Sequence, residues 1–157
     1  MKPSSEPDHP GVIALPPLLF LGFLAAGVVL NLLRPLAISA SNGLRIAGGV
    51  LVLGGLSLAV WGRKTMTRTG TNVNPRQPAT ALVVTGPFRY MRNPLYVAMF
   101  VMYIGLALLI NTAWMILLLA ILFPLMHWGV VLREERYLDR KFGEAYSRYC
   151  AVTRRWI

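Results

Sequence analysis

A short segment near the middle of the chain concentrates side chains that could bind an anionic group. Arg89 and Arg92 are three residues apart, so a helical turn would place both on one face. Guanidinium groups hold carboxylates and phosphates bidentately, and a helix that begins after Pro94 would offer free backbone N–H groups at its start. We therefore predict an anion-binding site here. Its candidate residues are Arg89, Tyr90, Arg92, Asn93, Pro94 and Tyr96.

A second polar segment begins with two adjacent carboxylates, Glu134 and Glu135, directly after a long apolar stretch. On a helix, neighbouring side chains diverge by about 100°, so one carboxylate could face a cavity while the other pairs with an arginine. The inward carboxylate could accept hydrogen bonds from an ammonium group or a ribose hydroxyl. Further along, an amphipathic stripe could close the site or lie on a membrane, and a solvated helix whose charges only pair with each other fits the same pattern. The stripe consists of Leu138, Phe142, Tyr146 and Tyr149.

Both polar segments adjoin apolar stretches long enough to cross a bilayer. Hydrophobic residues make up 55% of the 157 positions and charged residues only 14%, whereas a soluble domain carries nearer a quarter charged. We predict one all-α, polytopic membrane domain over residues 1–157, with about four transmembrane helices of about 20 residues each. The predicted spans are 12–33, 46–62, 95–110 and 113–132, with a loop over 63–94 and an amphipathic helical tail over 133–157.

Three features predict how the spans pack. Glycine recurs every seven residues in the second span, which would form a smooth stripe for close helix approach, although ordinary membrane composition gives the same pattern. Asn111 and Thr112 are natural turn residues between the last two spans, and Pro124 predicts a kink in the fourth. The stripe consists of Gly48, Gly55, Gly62 and Ala59.

The charges predict an orientation for the bundle. The loop over 63–94 carries six basic residues and no acidic residue, whereas the opposite face has only Arg34 and Arg45. By the positive-inside rule, the loop, the tail and both termini are cytoplasmic, which requires an even number of spans. The acidic and proline-rich start of the chain argues against a cleaved signal peptide.

The same charges narrow the possible partners. The net charge of +10 is explained by topology and by anionic lipid headgroups, so we expect no nucleic-acid partner. Cys150 is the only cysteine, and His9 and His127 are far apart in the sequence. We therefore expect no metal site.

These residues resemble a family of membrane methyltransferases that includes the isoprenylcysteine carboxyl methyltransferases and the phospholipid N-methyltransferases. The resemblance covers residues 69–156. It rests on Gly-Pro-Phe-Arg-Tyr-Met-Arg-Asn-Pro-Leu-Tyr at 86–96, Glu-Glu-Arg-Tyr-Leu at 134–138, Phe-Gly-Glu-Ala-Tyr at 142–146, and Tyr149. It implies an all-helical enzyme of the bacterial inner membrane that binds S-adenosylmethionine between its last two spans and its tail. It also implies a lipophilic acceptor taken from the bilayer.

The resemblance implies roles for individual residues. Arg89 and Arg154 would orient an anionic acceptor, and Glu135 would act as the base for an amine acceptor. Asn93 stands where the family often has histidine, so no imidazole is available there, and Arg154 matches the family's Val-Pro-Arg ending only after a departure at Thr153. The implied cofactor-binding residues are Tyr90, Arg92, Asn93, Pro94, Tyr96, Glu134, Glu135, Leu138, Tyr146 and Tyr149.

The predicted function is S-adenosylmethionine-dependent methyl transfer to a prenylated or otherwise lipophilic carboxylate or thiol. A phospholipid amine is the alternative acceptor. Membrane sterol reductases share a similar Arg-X-X-Asn/His-Pro-X-Tyr segment and use a reduced nicotinamide cofactor, but they are much longer. A small four-helix transporter or adaptor is the alternative from another class, although none of the predicted spans contains the ionisable residue that a transporter normally places there.

Overall fold

The computed structural model describes residues 8–39 and 41–157, and within these ranges the regular secondary structure is entirely helical. This confirms the predicted all-α fold. Three helices are long and apolar enough to cross a membrane, and a shorter apolar helix accompanies them. In chain order the helices are α1 (Pro16–Leu33), α2 (Asn42–Arg68), α3 (Pro94–Ile110), α4 (Ala113–Met126), α5 (Leu132–Phe142) and α6 (Glu144–Val152).

The last long helix is continuous across the predicted border between span and tail. A π-helical turn over His127–Val131 joins α4 to α5, so residues 113–142 form one unbroken helix. Pro124 lies inside α4, three residues before this turn. The adjacent carboxylates of the first turn of α5 are therefore fixed to the end of a membrane helix and are not on a separate tail.

The glycine stripe of α2 packs directly against α3, as predicted. A Cβ atom added to Gly55 would lie 2.9 Å from the carbonyl oxygen of Ala98, and one added to Gly48 would lie 2.7 Å from that of Gly105. Gly62 is equally close to Leu95. Because no side chain separates the two backbones, α3 is held firmly where it enters the polar end of the bundle.

The core of the bundle lies on the other side of α3, where α1 and α4 pack together. Its centre is made of apolar side chains with almost no solvent exposure, and a Cβ atom added to Gly27 of α1 would collide with Met115 of α4. Buried aromatic edges from α1 and α3 complete this core. Its members include Phe20, Tyr103, Ala107, Met115, Leu122 and Met126.

The turn between α3 and α4 lies at Asn111 and Thr112, where the sequence predicted it. Asn111 has a left-handed backbone with a φ of 58°. Its Oδ1 atom accepts hydrogen bonds from the backbone N–H groups of Ile38 and Ser39 at 3.1 and 3.0 Å. The segment after α1 is thereby fixed across this end of the bundle.

The opposite end gathers the segment before α1, the loop between α2 and α3, and the tail. The loop contains only one short 3-10 turn, Gly86–Arg89. It folds onto itself because the Thr71 hydroxyl accepts hydrogen bonds from the N–H groups of Thr80 and Ala81, and the Thr80 hydroxyl donates to the Gly70 carbonyl. The two predicted polar segments therefore meet at this end, which we call the basic end.

Candidate functional site

A cavity of about 520 Å³ opens at the basic end of the bundle. Its walls come from the start of α1, the loop, the start of α3, and helices α5 and α6. Nine of the residues that the sequence singled out line it, although they come from two segments separated by a membrane hairpin. They are Arg92, Asn93, Pro94, Tyr96, Glu134, Glu135, Leu138, Tyr146 and Tyr149.

The adjacent carboxylates have different partners. Glu135 accepts hydrogen bonds from Nε of Arg155, 3.0 Å from each carboxylate oxygen, and it also lies 3.2 Å from Nε of Arg92. Glu134 instead accepts a hydrogen bond of 2.8 Å from the hydroxyl of Tyr96 on α3. Within the described ranges Glu134 has no ion pair. The helix thus separates the two carboxylates, as their angular divergence predicts.

Arg92 joins the start of α3 to the tail. Its Nη1 atom donates to the carbonyl oxygens of Cys150 and Thr153, both at 3.3 Å, and its backbone N–H donates to the carbonyl of Arg154 at 2.8 Å. Its Nε atom is close to Glu135 but is not aligned for a hydrogen bond. The guanidinium group therefore keeps one buried N–H group without a hydrogen-bond acceptor.

The neighbouring Asn93 makes a second link between the same two segments. Its Nδ2 atom donates to the carbonyl of Arg155 at 3.0 Å. The side chain is buried, and the residue precedes the first turn of α3. An amide makes this contact without gaining or losing a proton. Asn93 therefore holds the tail in place and does not act as a general acid or base.

Aromatic side chains of α6 form the wall opposite α3. The hydroxyl of Tyr149 donates to the carbonyl of Phe88 at 2.6 Å, and Tyr146 is almost fully buried beside it. Burial raises the pKa of both tyrosines, and the charge of Glu135 raises the pKa of Tyr146 further. Both therefore remain neutral phenols at physiological pH.

Arg155 forms a charged cluster with Glu135 and Arg92 at the cavity edge. Hydrogen bonding to Glu135 raises the pKa of the Arg155 guanidinium, so Arg155 stays charged. The sequence had pointed to Arg154, whose side chain is exposed. Successive side chains of an extended segment face opposite ways, so this pattern indicates that only one of two adjacent arginines faces inward.

The segment before α1 also contributes to the site, which the sequence did not indicate. Asp8 accepts hydrogen bonds from the hydroxyl of Tyr137 at 2.9 Å and from Lys141 at 2.6 Å. The same hydroxyl accepts a hydrogen bond from the N–H group of Ala79 in the loop. Hydrogen bonds from Lys141 and Tyr137 lower the pKa of Asp8. The Tyr137 hydroxyl thus joins the segment before α1, the loop and α5 around the cavity. Pro10 of the same segment lines the cavity.

Three of the residues that the sequence singled out lie outside the cavity. Arg89 and Arg154 are exposed, and Tyr90 is 64% exposed. Arg89 instead lines a shallow groove on the outer side of α6. At the end of the tail, Trp156 packs against Phe100 of α3 and Phe123 of α4.

Comparison with known proteins agrees with this architecture. Residues 44–145, more than half of the chain, match the phospholipid methyltransferase family. The nickel-cobalt-cadmium resistance protein NccN of Alcaligenes xylosoxydans xylosoxydans is 39% identical over 66 residues, which cover 42% of this chain and 31% of that protein. No solved structure matches the chain. With its membrane-spanning helices and its polar cavity, the chain belongs to the phospholipid methyltransferase family, within the group of membrane methyltransferases that resemble the isoprenylcysteine carboxyl methyltransferases.

Proposed function

We propose that this membrane methyltransferase uses S-adenosylmethionine and binds it in the cavity at the basic end. The observation that carries the proposal is the carboxylate of Glu134, which lines the cavity and has no cationic partner among the described residues. A carboxylate that is partly removed from water is stabilised by a cationic ligand. The ammonium group and the sulfonium group of the cofactor both carry the required charge.

The other groups of the cavity fit the remaining parts of this cofactor. Arg92 keeps a buried N–H group without an acceptor, which suits the carboxylate of the cofactor. The neutral phenols of Tyr146 and Tyr149 provide an aromatic wall for the adenine and for the sulfonium. The volume of about 520 Å³ lies within the usual range of small-molecule sites. When bound, the cofactor supplies a methyl group already activated by the sulfonium.

We infer that the acceptor is a lipophilic carboxylate or thiol. Leu18 of α1 and Leu95 and Met99 of α3 give the cavity an apolar side toward the membrane spans. Glu135 is held by Arg92 and Arg155 and is therefore poorly suited to remove a proton from an amine. A carboxylate or thiolate needs no such base, because methyl transfer then depends mainly on alignment.

A phospholipid amine is the second candidate acceptor, and the family to which the chain belongs favours it. An amine must be neutral to accept the methyl group, so Glu134 would have to take its proton. Initial rates measured with a carboxylate, a thiol and an amine acceptor separate the two by which acceptor is methylated. We expect methylation of the carboxylate or the thiol and not of the amine. A carboxylate acceptor gives a rate independent of pH above its own pKa, whereas the rate with a thiol or an amine rises with pH.

We further propose that the cavity faces the cytoplasm of a bacterial inner membrane. The basic residues of the loop and the tail gather at this end, and the other end has only Arg34 and Arg45. Cysteine labelling of a Cys150→Ser background carrying either Ser39→Cys or Arg76→Cys tests this orientation. We expect an impermeant reagent to label only the variant at 39 in intact cells.

The proposal is tested by calorimetric titration of the purified protein with S-adenosylhomocysteine, with reduced nicotinamide cofactor as the parallel ligand. We expect saturable binding of the first ligand only. Arg92→Ala and Glu134→Gln should each weaken this binding at least about tenfold, the equivalent of about 1.4 kcal/mol. Arg136→Ala is the matched control, because its exposed side chain bonds only to its own helix. Wild-type affinity in both cavity variants would refute the proposal.

A further inference from the structure

The outer side of α6 carries a second groove, which shares only Tyr149 with the residues that line the cavity just described. It has a volume of about 460 Å³ and is lined by Arg89 from the 3-10 turn and by Arg148, Val152 and Thr153 from α6 and its end. Val84 forms the facing apolar edge. The groove thus combines two cationic side chains with an apolar rim.

The two arginines of the groove are available to a ligand. Arg148 is 74% exposed and has only a long contact of 3.7 Å with Glu144, which is itself 82% exposed. Such exposed pairs within one helix contribute little and are easily exchanged for another anion. Arg89 is exposed and has no ion pair within the described ranges. The groove therefore has a net positive charge that the protein itself leaves largely unbalanced.

The position of the groove along the bundle follows from the residues that flank it in the sequence. Trp156, three residues after Thr153, packs against Phe100 and Phe123, which belong to membrane helices. On the other side, Arg89 lies five residues before Pro94, where α3 begins. Because an extended residue spans about 3.5 Å at most, both walls lie within roughly 20 Å of side chains inside the bundle. The groove is therefore close to the end of the bundle at which α3 begins.

Exposed apolar side chains form the rim of the groove. Val152 is 83% exposed, and Val84 is 44% exposed. Apolar side chains beside cationic ones are typical of surfaces that rest on the boundary between headgroups and acyl chains. Tyr90, next to Arg89, is a residue type that concentrates at this boundary.

We propose that this groove binds the phosphate of an anionic phospholipid headgroup, with Arg89 and Arg148 as its ligands and Val84 and Val152 against the acyl chains. The bound lipid covers the outer side of α6, whose inner side carries Tyr146, and Tyr149 lies between the groove and the cavity. It is neither the cofactor nor the methyl acceptor. The site does not depend on the proposed function.

Native mass spectrometry of the protein, purified in an uncharged detergent, tests this site with short-chain phosphatidylglycerol as the probe. We expect the wild-type protein to retain a single lipid. The double variant Arg89→Gln/Arg148→Gln should bind the lipid at least about tenfold more weakly, because each of its two substitutions removes a charge-assisted contact. Arg68→Gln/Arg136→Gln is the matched control. It removes the same charge from exposed positions at the same end, outside the groove.

Four outcomes would overturn the proposal. Equal loss in both double variants would mean diffuse attraction to the basic end, and no loss in the groove variant would mean that the arginines do not bind the lipid. Equal retention of phosphatidylcholine, or full displacement by millimolar inorganic phosphate, would exclude an anionic lipid as the specific occupant. Both groove arginines are exposed, so their replacement leaves the helix packing unchanged, which circular dichroism verifies.

Discussion

The two ends of this helix bundle are closed by different kinds of interaction. At the α3–α4 turn, neutral hydrogen bonds from Ile38 and Ser39 to Asn111 join two short connections, and Thr112 is fully buried between them. At the basic end, the segment before α1, the loop and the tail are joined by charged groups around an open cavity. The described residues of one end are joined by neutral hydrogen bonds, and the other end leaves room for a ligand.

This difference shows how a small membrane protein can keep a polar site. The glycine stripe fixes α2 against α3 without side chains, so Arg92 and Tyr96 emerge from a rigid support. The unbroken helix over 113–142 fixes Glu134 and Glu135 in the same way. Charged contacts then bring flexible segments onto these two supports, and the space between the supports becomes the cavity.

Breaking the charged cluster of Glu135, Arg92 and Arg155 should have the largest effect on stability. Glu135→Ala leaves Arg92 and Arg155 without their carboxylate, and we expect it to lower the free energy of unfolding by about 3 kcal/mol. The estimate is at the lower end of the range for buried pairs because Arg155 is partly exposed. Titration with sodium dodecyl sulfate in mixed micelles measures it. Glu144→Ala is the matched control, since its exposed pair should change stability by less than about 0.5 kcal/mol. Equal effects would mean that the charged cluster does not hold the basic end together.

Replacing Asn111, which accepts the neutral hydrogen bonds at the α3–α4 turn, should have a smaller effect on stability and should leave the cavity intact. Asn111→Ala removes the Oδ1 acceptor of two hydrogen bonds and places alanine in a left-handed conformation, for an expected loss of about 2 kcal/mol. Asn111→Gly loses the same two hydrogen bonds without the backbone strain and should cost less. We expect both variants to bind S-adenosylhomocysteine as the wild type does, measured by calorimetry. Weakened binding would show that the two ends are coupled.

The contact between Asp8 and Tyr137 should have the smallest effect, and only at low pH. Hydrogen bonds from Lys141 and Tyr137 hold the pKa of Asp8 below its ordinary value of 3.8. The carboxylate therefore stabilises the folded state above that value, and this contribution is lost as the pH falls through the lower folded-state pKa. We expect wild type and Asp8→Asn to differ slightly in Tm at neutral pH and to converge as the pH falls below the folded-state pKa of Asp8.

The comparison with Asp8→Asn isolates one group, because titration of the other carboxylates is common to both proteins. Tyr137→Phe on the same background tests whether the tyrosine hydroxyl transmits the effect to the loop. A difference in Tm that did not shrink as the pH fell from 3.8 toward the folded-state pKa and below it would contradict the assignment to Asp8.

The sequence by itself determined the class of the fold and nine of the residues that line the cavity. Hydrophobic stretches report the number of membrane helices because an apolar segment must leave water whatever its neighbours are. The glycine stripe and the turn at Asn111 are local patterns of the same kind. Arg92, Tyr96, Glu134 and Glu135 were also identifiable, because charged and aromatic residues beside a membrane helix exceed what topology requires.

Only the tertiary structure decided which partner each of these side chains has. In the folded protein Glu135 is hydrogen-bonded to Arg155, Arg154 is exposed, and Arg89 lies on the outer side of α6. The fold also brings Asp8 to Tyr137 across 129 positions of sequence. Such choices depend on how segments far apart in the chain pack together, and a difference of one residue along the tail turns a side chain from the cavity to the solvent.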